Sequence, residues 1–163
     1  MGTTFAKYKG NGFNANDRVM QVVLALIVEE MDKQPAPDEW QSALRKDWYV
    51  SATVYLGYVV LRLDKWVDTP DRRTKIVHWV RGAQERLREY GPFVPKDELN
   101  RFVPPDDGWF TADLDTERFT IVTDYLIKLL DGRLLPAERD SRIWIQRSPD
   151  TPTDGTPEPD NNQ

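Results

Sequence analysis

No cysteine occurs in this chain, which removes disulfides, thiolate metal sites and thiol nucleophiles together. There is one histidine, His78, so a Cys/His arrangement is impossible and any Ser/His arrangement would depend on that residue alone. No Glu-x-x-His pair is present, which excludes a di-iron bundle of that type. Neither a phosphate-cradling Gly-rich loop nor a dinucleotide fingerprint appears, and no cofactor is expected. Basic residues are missing after Arg147, while Asp150, Asp154, Glu158 and Asp160 follow it. The net charge of −5 is therefore largely a property of the tail, and the body sets 23 acidic side chains against 22 basic ones. A body so close to neutral argues against generic nucleic-acid binding. Residues 1–9 lack the apolar core of a secretory signal, and Ala6 breaks the myristoylation pattern. The expected location is the cytoplasm.

Long apolar runs are also scarce, with one exception. Residues 48–67 (WYVSATVYLGYVVLRLDKWV) carry charge only at Arg62, Asp64 and Lys65. As a helix the run is apolar on nearly every face, the pattern of a helix enclosed by others. Twenty residues rise about 30 Å, the width of a small domain. Ser51, Thr53, Gly57 and the three charges speak against a membrane span. The β-branched residues and tyrosines of 50–61 leave a strand open as an alternative. Because no Gly or Pro breaks residues 45–47, 38–66 can also be read as one long helix.

Around this run the chain reads as helices. Asn14 or Asn16 caps a first helix that reaches about Lys33, with an apolar stripe through Val19, Val22, Val23, Leu26, Ile27 and Met31. Asp38 and Gln41 resemble a capping box. Thr69-Pro70-Asp71 starts a helix that Gly91 stops, and its seam is Ile76, Val80, Ala83, Leu87 and Tyr90. Residues 92–114 read as mostly loop, with a helical turn near 96–102. Asp115 or Thr116 caps a last helix closed by Gly132, and 142–146 form a short strand or extended segment. The expectation is an all-α, single-domain bundle of about five helices around a buried central helix. The domain covers 1–147, with 1–15 as an irregular N-terminal arm, and 148–163 form a disordered acidic Pro/Thr-rich tail.

Few residues offer chemistry. His78 lies between Val77 and Trp79 and reads as a half-buried, locally bonded helix residue. Asp64 and Asp68 are four apart and would share a helical face, as a general acid and base or as hard-cation ligands. Glu29, Glu30 and Asp32 read as solvated acids, and Arg72–Arg88 as a solvated basic face interrupted by Glu85. The strongest feature is 104–110 (PPDDGWF) with the acids that follow it. From Phe102 to Glu117 there are five acids and no base. Asp106, Asp107, Trp109, Phe110, Asp113 and Asp115 are the expected partner-binding residues, aromatic anchors ringed by charge. The function these features favour is a non-catalytic binding protein, an immunity-type inhibitor that neutralises a toxin or nuclease by occlusion. A carboxylate- or metal-dependent hydrolase and a self-assembling accessory protein are the alternatives. The expected partner is another protein, with no membrane span and with homo-oligomers open.

Overall fold

A computed structural model describes residues 2–54, 59–102, 110–134 and 144–146. The described residues are mostly helical, with two small antiparallel sheets among them. In order, it forms strands β1 (Thr3–Tyr8) and β2 (Asn11–Asn16), helices α1 (Asp17–Asp32) and α2 (Glu39–Thr53), and a single turn α3 (Leu63–Trp66). Then come α4 (Pro70–Glu89), β3 (Phe93–Val94), α5 (Lys96–Arg101), β4 (Leu114–Asp115), α6 (Glu117–Leu130) and β5 (Trp144–Gln146). No helix among the described residues is long and apolar enough to cross a membrane.

The expectation of an all-α chain is corrected at the N-terminus, where the irregular arm is a hairpin. Lys9 and Gly10 both have positive φ, 49° and 80°, the two-residue turn whose twist matches antiparallel strands. Side chains then alternate, with Thr4, Ala6 and Tyr8 buried and Thr3, Phe5 and Lys7 exposed. Gly12 is required by close approach, since a Cβ there would lie 2.4 Å from the Ala6 carbonyl oxygen. Phe13 packs edge-on against Tyr125 of α6 at 5.6 Å between ring centres, and β5 adds on the far side of β2.

The centre is α1. Every residue from Met20 to Val28 is buried, and the helix packs against α2, α4, α6 and the hairpin. Asn16 starts it by accepting from the Arg18 and Val19 amides at 3.0 and 3.4 Å. The expected central helix of 48–67 is not formed. Its first part is the end of α2, and residues 59–62 are outside any helix or strand. α2 ends at Thr53, whose hydroxyl donates to the Tyr49 carbonyl at 2.7 Å. The chain then returns along α2. Trp48 Nε1 donates to the Leu61 carbonyl at 2.9 Å and Ser51 Oγ to the Val60 carbonyl at 3.4 Å. Asp47 accepts from Trp66 Nε1 at 3.0 Å. Val59, Leu61 and Leu63 are buried while Arg62, in the left-handed conformation at φ 50°, is exposed.

The start and stop signals of the later helices act as their residues suggest. Thr69 Oγ1 accepts from the Arg72 amide at 3.3 Å, and Gly91 and Gly132 take positive φ after α4 and α6. The expected loop of 92–114 contains more order than its composition suggests. Phe93 pairs with Asp115 and Val94 with Leu114, and α5 lies between those strands in sequence. The buried apolar residues of all these elements form one cluster.

Candidate partner interface

The β3–β4 ribbon is where acids and an aromatic ring meet on the surface. Val94 is fully buried and anchors the ribbon, so strand alternation turns its neighbour Phe93 outward. Phe93 is 52% exposed and stands opposite Asp115 in the cross-strand register. Asp113, Asp115 and Glu117 are all exposed. Asp113 also serves the fold, since its Oδ1 accepts from the Lys96 amide at 2.9 Å. That bond caps α5, where the preceding Pro95 has no side-chain acceptor to offer. Asp115 lies 3.7 Å from Arg118 Nε, an exposed pair of small energetic weight.

Beside the ribbon runs a shallow groove of about 450 Å³ whose walls include Arg88, Pro92, Asp115, Thr116, Glu117 and Asp124. Asp124 Oδ1 accepts from Gln84 Nε2 at 2.7 Å, and Arg88 pairs with Glu85. Thr116 is 7% exposed, and its Oγ1 has no hydrogen-bond partner among the described residues. A buried hydroxyl in that state favours an incoming polar group.

The residues expected from the sequence divide three ways. Asp113 and Asp115 are exposed on this face. Phe110 is corrected: it is 8% exposed and held by Asn100, which donates to its carbonyl at 2.9 Å and accepts from its amide at 3.0 Å. It anchors its loop inward and offers a partner nothing. Asp106, Asp107 and Trp109 lie outside the described residues, as do 148–163. Phe93 was missed by the sequence reading. Its signal was the short alternation of Phe93 and Val94 between Pro92 and Pro95, hidden by the proline-rich setting.

Other candidates are held in separate structural tasks. Asp64 Oδ1 accepts from the Lys9 amide at 2.8 Å, and Asp68 Oδ2 from Arg72 at 3.0 Å. Because α3 ends at Trp66, these two carboxylates do not share a helical face as the four-residue spacing implied. His78 is exposed on α4 rather than half-buried. Glu29 accepts from both Arg86 and Arg101, which raises the Arg101 pKa through the Glu29 hydrogen bond. Arg101 also bonds Glu98, which takes the Tyr90 hydroxyl at 3.0 Å. Burial, then the bond to Glu98, raises the Tyr90 pKa. Asp32 takes Arg45 in a two-pronged pair at 2.5 and 2.9 Å, and Glu30 takes Lys33. Among the described residues no group of three or more His, Cys, Asp or Glu is placed to hold a metal ion. Compared with protein-family models, curated proteins and solved structures, the chain matches none.

Proposed function

We propose that this is a non-catalytic binding protein that docks a basic partner protein on the β3–β4 face, acting by occlusion in the manner of an immunity-type inhibitor. The observation that carries the reading is Phe93, a half-exposed ring directly across from Asp115 with Asp113 and Glu117 nearby. An aromatic ring that loses water against a partner supplies affinity, and surrounding carboxylates speed and orient the approach of a positive surface. The adjoining groove accommodates a projecting basic side chain between Asp115, Glu117 and Asp124. Such a protein works from the cytoplasm by covering the active or binding surface of a toxin or nuclease.

The test uses the immobilised full chain, Phe93→Ala, and the double variant Asp115→Lys with Glu117→Lys. A basic protein retained by the wild type, lost from both variants and inhibited in its own activity by the wild-type chain is the expected result. Once that partner is purified, Phe93→Ala weakens binding by about 2–4 kcal/mol and changes folding stability by no more than about 0.5 kcal/mol. Equal retention by all three chains would end the proposal.

A further inference from the structure

A second surface stands on independent observations at the opposite strand pair. β1 is an edge of the three-stranded sheet, which runs β1-β2-β5. The two-residue turn makes Tyr8 and Asn11 a hydrogen-bonded pair. Tyr8, Ala6 and Thr4 therefore turn their backbone groups to β2, while Thr3, Phe5 and Lys7 turn theirs outward. Among the described residues no backbone hydrogen bond meets that outer edge.

Facing it is the return segment 59–62, whose carbonyls at Val60 and Leu61 are already held by Ser51 and Trp48. Between the two lies a groove of about 440 Å³, walled by Thr3, Phe5, Lys7, Asp17, Val59 and Leu61 among others. Lys9 and Asp64 close one end with their 2.8 Å bond. Lys7 and Arg62 are exposed on the groove wall. At the other end Asp17 is 4% exposed, with Oδ1 accepting from Thr4 Oγ1 at 2.5 Å and Oδ2 without a partner among the described residues. A buried carboxylate oxygen with no donor is costly to keep, and of the donors that relieve it a positively charged one binds most strongly.

We infer that β1 is a docking edge for an extended segment of a partner protein, which adds a strand to the sheet and brings a lysine or arginine to Asp17. Main-chain bonds to Thr3, Phe5 and Lys7 supply the hold, as in other cases of strand addition. The Asp17 carboxylate sets the register by selecting where the basic residue sits. This site is separate from the β3–β4 face, and either can fail without the other.

The probe is the capped pentapeptide Thr-Val-Lys-Val-Thr, titrated into the full isotope-labelled chain by NMR. The amides of Thr3, Phe5 and Lys7 should shift and exchange at least tenfold more slowly when it binds. Replacing its lysine by glutamate should weaken binding at least tenfold, and Asp17→Asn should abolish that preference. Should Asp17→Asn fail to fold, Lys7→Pro carries the test. It removes one outward N–H and none from the β1–β2 ladder, a place where proline is tolerated, and it should lose the peptide while keeping the wild-type melting temperature. Unchanged Thr3, Phe5 and Lys7 amides, equal affinity for the lysine and glutamate peptides, or full binding by Lys7→Pro would each overturn the inference. So would amides already protected without peptide in a dimer seen by light scattering, which would give the edge to a second copy.

Discussion

α1 and residues 48–67 are both rich in apolar, β-branched residues, yet one is an unbroken enclosed helix and the other turns back on itself. The difference lies in what each backbone is offered. α1 begins at Asn16, which supplies its first amides with an acceptor. The second run begins in the middle of α2, already some turns from the cap at Asp38. Its helical part ends at Thr53, and Trp48 and Ser51 offer donors to carbonyls of a returning chain. Apolar character alone places a segment inside; local hydrogen-bond chemistry decides in what conformation.

The largest test of this contrast is Leu26→Ala, at a fully buried position in α1. It should cost about 3–5 kcal/mol of stability by urea unfolding, and a loss under about 1 kcal/mol would mean that α1 is not the enclosed element. Next is Trp48→Phe, which keeps most of the ring but leaves the Leu61 carbonyl without its indole donor. We expect a loss of about 1–3 kcal/mol, with hydrogen exchange quickened in 59–66 and unchanged in α1. Asn16→Ala should remove about 1 kcal/mol, and circular dichroism during unfolding should register it in α1's share of the signal. The smallest effect concerns the far end of α1, held by charge through Glu29, Arg101 and Glu98 to Tyr90. The folded chain holds the Tyr90 proton more tightly than the unfolded chain does. Its contribution is therefore whole below about pH 10 and drains away as pH rises through and beyond it. Between pH 9 and 11 the denaturation midpoint should fall more steeply for the wild type than for Tyr90→Phe.

Helix ends were the most legible part of the sequence, because Asn16, Asp38 with Gln41, Thr69-Pro70, Gly91 and Gly132 each act through bonds within a few residues of themselves. The hairpin was legible in principle. The alternation of Thr4, Ala6 and Tyr8 beside Lys9-Gly10 carries it, but the glycines and asparagines around it read equally as an irregular arm. What the sequence could not supply were partners distant along the chain. Nothing near Phe110 announces that Asn100 clamps it, and nothing near Phe93 announces that Asp115 becomes its cross-strand neighbour. Of the residues expected to bind a partner, Asp113 and Asp115 are exposed while Phe110 is buried.

The three α2 side chains Asp47, Trp48 and Ser51 hold the returning chain at Trp66, Leu61 and Val60. A coil presents those groups in no fixed order, whereas one helical turn sets them out as a mould. The returning chain thus has no docking surface until α2 has wound, and its capture is expected on the late side of the folding barrier. Weakening that capture should accelerate unfolding and leave the rate of refolding nearly untouched.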